Sequence, residues 1–342
     1  MARRRERVAT PDLLAPEEAL VRLLDPGALE RFSCLGPEAP LAVDLREGAS
    51  ARWESARRAL AMLPCPSIAR VAQGADPGAA PAAWFDVAVA TDAELRHVVE
   101  QVRGHPLASF ALVQLLRVSE GRTVHDGLVA ESLVYSTLQA GPEFHEWLAG
   151  RPPAKPRPAP EGPAVRVDRD GARLTLTLNR PAKHNAFSTA MRDGLCEGLT
   201  VALADESIAE VVLAGAGPSF CSGGDLDEFG TLPDPATAHA VRATRNPARL
   251  LAACAPRVHA QVHGACVGAG VELPAFADRV TAQQDARFEL PEVSMGLVPG
   301  AGGTASLPRR IGRQRTAWLA LTGSALDAGT ALAWGLVDEV TT

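Results

Sequence analysis

The sequence predicts an α/β protein in which a mostly helical N-terminal domain precedes a domain of alternating strands and helices. Before residue 150, apolar residues recur at helical spacing. Residues 151–164 have the proline-dense sequence RPPAKPRPAPEGPA. After residue 165, apolar runs of strand length alternate with helical patterns, which is typical of α/β domains with largely parallel strands. The expected division is therefore an N-terminal domain at 1–150, a linker at 151–164 and a second domain at 165–342.

The N-terminal domain is expected to contain amphipathic or buried helices and two short strands. The predicted helices are PEEALVRLLDPGALERF (16–32), ESARRALAMLP (54–64), DAELRHVVEQVRG (92–104) and HDGLVAESLVYSTLQ (125–139), and the candidate strands are LAVDL (41–45) and WFDVAVA (84–90).

The proline-rich segment 151–164 is the predicted domain boundary. Proline at this density cannot continue a helix or a central strand, and it favours an extended, semi-rigid chain. A long surface loop within one domain is the alternative interpretation.

The segment after the linker begins with a predicted hairpin, AVRVDRDGARLTLTLNRP (164–181), with Asp170-Gly171 at its turn. The elements expected after it are a helix at 189–205, a strand at 209–217, a long helix at 237–254, a strand at 258–264, a helix after Gly268-Ala269-Gly270, a strand at 278–283, and helices in 309–323 and 326–335.

Composition excludes several classes of function. The chain has 342 residues, 46% of them hydrophobic and 22% charged, with a net charge of −6, so nothing favours nucleic-acid binding. It contains no run of about 18 uncharged apolar residues, and the basic N-terminus lacks the apolar stretch of a secretory signal. A mitochondrial presequence is a weaker alternative. We expect a cytoplasmic protein that binds neither nucleic acid nor membrane.

The cysteines also favour the cytoplasm, because they are scattered and form no C-x-x-C pair. Histidine and cysteine spacings typical of zinc sites are absent too, so we expect no metal. The cysteines are Cys34, Cys65, Cys196, Cys221, Cys254 and Cys266.

Two glutamates mark the predicted active site. Glu272 is the second-last residue of GACVGAGVEL (264–273). Glu292 lies twenty positions later, in LPEVSMGLVPGAGGT (290–304). Carboxylates in apolar segments are costly to bury without a partner or a task. Both stand beside glycine-rich backbone, which suits chemistry in which N–H groups polarise a carbonyl while carboxylates carry a proton.

Five blocks in order resemble the crotonase, or enoyl-CoA hydratase/isomerase, family over about 165–342. The blocks are RPAKHNAFS (180–188), FCSGGDL (220–226), GACVGAGVEL (264–273), LPEVSMGLVPGAGGTASLPRRIG (290–312) and ALDAGTALAWGLVDEV (325–340). The resemblance implies a spiral of ββα turns and an acyl-CoA thioester substrate. It also implies a homo-oligomer, trimer or hexamer, and no cofactor beyond the coenzyme A that the substrate carries.

The resemblance assigns catalytic roles to four residues. The backbone amides of Gly224 and Ala269 would hold the thioester oxygen of an enolate. Glu272 and Glu292 would hold a water molecule and add it across the α,β double bond. The presence of both glutamates favours hydration. Isomerisation of the double bond, which needs mainly one glutamate, cofactor-independent oxygenation of an arylacetyl-CoA, and a non-catalytic acyl-CoA-binding scaffold are the alternatives.

The resemblance also implies a binding surface for coenzyme A and the acyl group. Lys183 would pair with a phosphate, although a solvated loop lysine is an equal alternative. The residues matched to this surface are Lys183, Ala186, Ser222, Asp225, Leu226 and Gly268.

Three departures from the family pattern affect these expectations. Pro274 follows Glu272-Leu273 closely and is expected to kink the helix. His263 replaces the usual Asn or Asp before Gly264, and a packed histidine is expected there. The sequence also ends soon after WGLVDEV, so the family's usual C-terminal helices are expected to be missing.

The N-terminal domain is expected to cover the acyl pocket in place of those helices. The cofactor-independent dihydroxyphenylacetyl-CoA dioxygenase, a member of the same family, has a comparable helical domain. The candidate lid is 127–144, in which Glu131 and Tyr135 lie one helical turn apart. A buried structural network is the alternative role for these two residues.

Overall fold

The computed structural model describes residues 13–152, 162–232 and 234–342. Its helices are α1 (Pro16–Leu24), α2 (Ala28–Arg31), α3 (Arg57–Met62), α4 (Asp92–Gly104), α5 (Pro106–Ser119), α6 (Val124–Gln139), α7 (Pro142–Ala149), α8 (Thr189–Ala204), α9 (Pro235–Thr244), α10 (Pro247–Cys254), α11 (Ala269–Glu272), α12 (Gly303–Ile311), α13 (Arg313–Thr322) and α14 (Ala328–Trp334). Its strands are β1 (Leu41–Asp44), β2 (Ser67–Arg70), β3 (Val87–Val89), β4 (Val165–Asp170), β5 (Arg173–Leu178), β6 (Glu210–Gly215), β7 (Cys221–Ser222), β8 (Val258–Val262), β9 (Ala265–Val267), β10 (Arg279–Gln283), β11 (Arg287–Glu289), β12 (Leu326–Asp327) and β13 (Glu339–Thr341).

The N-terminal part is largely helical and also contains a parallel sheet of order β1-β2-β3. Strands β1 and β3 lie within the two predicted strand segments. Strand β2 was not predicted, because its sequence SIAR is short and does not alternate, and all four residues are buried. The predicted helix at 16–32 is in fact α1 and α2, since Asp25-Pro26-Gly27 interrupts it.

The second part has two sheets, and successive strands join them alternately. The larger has the order β13-β10-β8-β6-β5-β4, and the smaller has the order β12-β11-β9-β7. In each of the pairs β6/β7, β8/β9 and β10/β11, the first strand joins the larger sheet and the second joins the smaller. Helices follow these pairs, which gives a spiral of ββα turns. The predicted α/β class and the largely parallel pairing are confirmed.

Prolines set two helix boundaries near the site. The helix predicted at 237–254 is wrong as a single element, because α9 ends before Pro247, which begins α10. The Asn246 side chain caps α10 by accepting from the Arg249 amide at 3.0 Å. The kink expected at Pro274 is instead an end, since α11 has only four residues and a 3-10 turn begins at Pro274.

The N-terminal helices pack directly on the second part. Helix α6 contacts α9, α10 and α12, and α13 contacts α4 and α5. One hydrophobic core contains both Leu112 of α5 and Leu307 of α12. The buried carboxylate of Asp86 accepts from Arg117 at 2.9 Å and from Arg313 at 3.0 Å, which ties the two parts together. The domain division stays a prediction, and most of its linker, 153–161, lies outside the described residues.

Within the described residues, every helix is too short or too polar to cross a membrane.

Candidate active site

A cavity of about 200 Å³ lies between α6, α9, the start of α11 and the loop that leads to α12. The four residues predicted to be catalytic, Gly224, Ala269, Glu272 and Glu292, all line it. Its other named walls come from Tyr135, Gln139, Phe187, Ser188, Thr189, Arg192, Asp225, Glu228, Phe229, Leu232, Ala238, Val241, Arg242, Gly300 and Ala301.

Glu272 is the last residue of α11 and is only 2% exposed. Its Oε2 accepts hydrogen bonds from the amides of Ala301 at 2.7 Å and Gly303 at 2.8 Å. Burial and the neighbouring carboxylates of Glu292 and Glu131 raise its pKa well above the ordinary glutamate range, although the two amides oppose this. Among the described residues, its Oε1 receives no hydrogen bond.

Glu292 begins the 3-10 turn Glu292–Met295. Its Oε2 is buried and has no hydrogen-bond partner among the described residues. Burial raises the pKa of this carboxyl group to about 8. An unpartnered buried oxygen is costly, so this group is poised to bond a molecule that enters the cavity.

The backbone N–H groups of Gly224 and Ala269 take no part in the local backbone hydrogen bonding. Gly224 forms an isolated parallel bridge with Phe187, whose two hydrogen bonds use the Phe187 and Asp225 amides. The Gly224 N–H therefore points away from Phe187, and it has no backbone acceptor among the described residues. Ala269 is the first residue of α11, where an N–H has no intrahelical acceptor. These amides are available to a ligand oxygen.

Glu131 from α6 adds a third buried carboxylate beside the pair, and it is only 3% exposed. Its Oε1 accepts from Gly302 N at 2.7 Å, and its Oε2 accepts from Thr304 N at 2.9 Å and Thr304 Oγ1 at 2.6 Å. Burial raises its pKa to about 7, against the effect of these hydrogen bonds.

Glu272 and Glu131 bind alternate amides of one backbone segment, residues 301–304. The amides of 301 and 303 bond Glu272, whereas those of 302 and 304 bond Glu131. The N-terminal helix α6 is thus attached to the same backbone that holds Glu272. These contacts fit the alternative role, a buried structural network, and a lid role for Glu131 stays a prediction.

Tyr135, the other predicted lid residue, lines the cavity and packs its ring against Gly300. The Arg242 guanidinium lies over this ring, 4.8 Å from its centre. Burial raises the pKa of the Tyr135 phenol, so the hydroxyl keeps its proton at neutral pH. Arg242 was missed by sequence reasoning. The signal available in the sequence was an arginine among the apolar residues of the segment that forms α9.

Of the residues predicted to bind coenzyme A, Lys183, Ser222 and Asp225 are joined by hydrogen bonds near the cavity. Lys183 Nζ bonds Asp225 at 3.0 Å and Asp227 at 2.8 Å, and Ser222 Oγ donates to the Lys183 carbonyl at 3.3 Å. The charge of Lys183 is already paired with these two carboxylates, so a contact between Lys183 and a phosphate stays a prediction. Of the six predicted residues, Asp225 lines the cavity; Lys183, Ala186, Ser222, Leu226 and Gly268 lie outside its named walls.

Gly268 has a distinct role in placing Glu292. Its φ is +50°, and a Cβ built on it would lie 2.4 Å from Glu292 Oε1. Gly171 in the β4–β5 turn has a φ of +56° but nothing within 4 Å of such a Cβ. Both glycines have a positive φ, which favours glycine, but only Gly268 has a neighbour in contact with the added Cβ.

Gly268→Ala is therefore expected to displace the Glu292 carboxylate and lower kcat by roughly 10²-fold, the cost of a misplacement of about 1 Å. Gly171→Ala is the control for an alanine placed at a positive φ without the contact. Steady-state turnover of both variants decides. Equal losses in the two variants would contradict the contact and leave only strain.

The second part of the chain is similar in sequence to known proteins. The sequence profile of the enoyl-CoA hydratase/isomerase family matches residues 169–342. The 2,3-dehydroadipyl-CoA hydratase of Escherichia coli K12 is 40% identical over 174 residues, 51% of this chain and 68% of that protein. The 1,2-epoxyphenylacetyl-CoA isomerase of the same organism is 39% identical over 171 residues, 49% of this chain and 65% of that protein. The matched segment thus spans about two thirds of these relatives.

A solved structure of a similar chain is the enoyl-CoA hydratase of Mycobacterium smegmatis. It is 36% identical, with a TM-score of 0.49, and the alignment covers 53% of this chain and 71% of that one.

Proposed function

This chain belongs to the enoyl-CoA hydratase/isomerase family, and from this premise we propose that it adds water to the double bond of an α,β-unsaturated acyl-CoA, or removes it in reverse. The single observation that carries the proposal is the shared cavity. Two glutamates with raised pKa values and two amides free of backbone acceptors line one space of about 200 Å³.

The amides of Gly224 and Ala269 would bind the thioester oxygen. As a nucleophile attacks the β-carbon, negative charge develops on this oxygen, and N–H donors held in place stabilise it without reorganisation. Each such donor contributes about 3–4 kcal/mol to the transition state in acyl-transfer enzymes. The first-turn position of Ala269 adds the positive end of the local peptide dipoles.

The two glutamates would divide the proton transfer. Burial and the neighbouring carboxylates raise the pKa of both glutamates, so the two groups titrate as a pair and one proton can be held between them. Of the two, Glu272 has the N–H donors that stabilise a carboxylate, from Ala301 and Gly303, so we assign it the ionised state, in which its Oε1 accepts a proton from water. Glu292, buried and without a donor at Oε2, is suited to be the protonated partner that delivers a proton to the α-carbon. Two adjacent carboxyls sharing one proton can act as base and acid in the same step.

The direct test is incubation of the purified protein with crotonyl-CoA. We expect loss of the absorbance of the conjugated thioester, with no added metal or redox cofactor and with no effect of a chelator. Activity that a chelator abolishes and zinc or iron restores would overturn the proposed reaction. Unchanged absorbance with both crotonyl-CoA and a six-carbon enoyl-CoA that ends in a carboxylate would overturn it as well.

The raised pKa of Glu292 predicts a pH dependence. With a pKa of about 8, this carboxyl keeps its proton at neutral pH and loses it as the pH rises through that value. If it is the proton donor, kcat/KM should fall above about pH 8 as the pair titrates. Rates measured from neutral to alkaline pH test this. A rate that keeps rising well above that pH would show that Glu292 acts in its ionised form.

A further inference from the structure

We propose that the acyl group of the substrate carries a carboxylate, and that Arg242 binds it. This inference rests on the proposed function, because it names the acyl group that the same cavity accepts. It starts from the part of the cavity wall that Tyr135 and Gln139 of α6 and Arg242 of α9 form together.

This part of the wall carries several polar side chains. Glu131, Tyr135 and Gln139 recur every four residues along α6, so they lie on one face of the helix. Glu131 bonds the 302–304 backbone, which leaves Tyr135 and Gln139 to face the cavity. The Tyr135 hydroxyl has no hydrogen-bond partner among the described residues. A site for a plain hydrocarbon chain would not need these groups.

The Arg242 guanidinium is fixed in this wall by neutral groups. Its Nε donates to Ser132 Oγ at 3.1 Å, its Nη1 to Gln139 Oε1 at 3.3 Å, and its Nη2 to Ser132 O at 3.4 Å and to Ser136 Oγ. The ring of Tyr135 supports its face at 4.8 Å. The fork is therefore held in one orientation before any ligand arrives.

No carboxylate of the described residues lies within 4.0 Å of Arg242. The other cation on the cavity wall, Arg192, differs because its guanidinium bonds Asp193 at 2.8 Å. The nearest candidate partner, Glu131, uses both oxygens on the 302–304 backbone. Burial of Arg242 lowers its pKa, which reflects this lack of ionic compensation.

The acidic groups on the same wall do not oppose an anion strongly, because they are engaged elsewhere. Asp225 is paired with Lys183 and Arg180, and Glu228 accepts from the amide and hydroxyl of Thr189. A fixed, half-buried guanidinium with an unused Nη1 proton therefore offers a charge-assisted hydrogen bond to a carboxylate. The thioester end would meet the Gly224 and Ala269 amides, and the carboxylate end would meet Arg242.

The test measures binding of saturated thioesters by calorimetry, which requires no turnover. Glutaryl-, adipyl- and pimelyl-CoA are each compared with the methyl-ended acyl-CoA of equal length, and with coenzyme A alone. We expect at least one carboxylated ligand to bind about ten-fold more tightly than its partner. Arg242→Met should remove that preference, Arg242→Lys should keep part of it, and Arg245→Met is the control, because Arg245 lies at the end of α9 outside the cavity walls.

Equal affinities within every wild-type pair would overturn the inference. An Arg242→Met variant that weakens all ligands equally, coenzyme A included, would also overturn it, since Arg242 would then contact the nucleotide or support the fold. The outcome is separate from the proposed reaction. A binding preference without turnover would refute hydration alone, and turnover of crotonyl-CoA without a preference would refute only the acidic acyl group.

Discussion

Glu292→Gln is expected to lower kcat by roughly 10²–10⁴-fold, the usual loss on removing a general acid–base group. The amide has nearly the same shape as the carboxyl, so the acyl-CoA should still bind, but it cannot deliver a proton. The buried Oε2 has no hydrogen-bond partner, so an amide nitrogen in its place breaks no existing hydrogen bond. Turnover of crotonyl-CoA and binding of a saturated acyl-CoA are the two measurements.

Glu206→Gln is the matched control, because Glu206 is exposed after the end of α8. Glu272→Gln should reduce hydration to a similar degree and should reduce double-bond isomerisation less. Near wild-type turnover in both the Glu272 and Glu292 variants would refute the carboxylate mechanism.

Glu131→Leu is expected to reduce both stability and activity. The leucine leaves the buried amides of Gly302 and Thr304 without acceptors, at a cost of about 1–3 kcal/mol each in the free energy of unfolding. Since Ala301 and Gly303 in the same segment hold Glu272, the carboxylate should also move and kcat should fall. Denaturant unfolding and turnover measured on the same samples test both effects.

Glu131→Gln should lose less, because its amide oxygen can still accept one of these hydrogen bonds. Glu146→Leu on the exposed face of α7 is the control for replacing a glutamate by leucine. Wild-type stability together with wild-type turnover in Glu131→Leu would show that α6 does not position the loop.

The catalytic candidates could be predicted from the sequence because each lies in a short segment with a strong local requirement. Glu272 and Ala269 belong to one glycine-rich turn into a helix, and Gly224 belongs to a tight bridge with Phe187. The resemblance of these motifs to the family implied that these residues and Glu292 share one site, and the structure has all four on one cavity.

The contribution of α6 could not be predicted in detail, since it depends on contacts between distant segments. Glu131 and the loop that it binds are separated by 171 and 173 positions in the chain. No local pattern specifies that two glutamates alternate on consecutive amides. Arg242 could not be identified from the sequence for the same reason. Its position on the cavity wall and its uncharged hydrogen-bond partners depend on contacts between α9 and α6.

Two errors in the elements have local causes. Apolar periodicity favoured one helix across 237–254, although Asn246-Pro247 supplied both a cap and a break. Strand β2 lies between two predicted strands and is buried on both faces, so it lacks the alternation that identifies an exposed strand.

The measurement that tests the central claim most directly is the mass of the product formed in water enriched in heavy oxygen. Crotonyl-CoA and a six-carbon enoyl-CoA that ends in a carboxylate are incubated with the wild-type protein and with Glu292→Gln. We expect a 3-hydroxyacyl-CoA that carries one heavy oxygen atom, formed by the wild type and nearly absent with the variant. Unchanged substrate, or an isomer with no added oxygen, from both thioesters would contradict the proposed hydration.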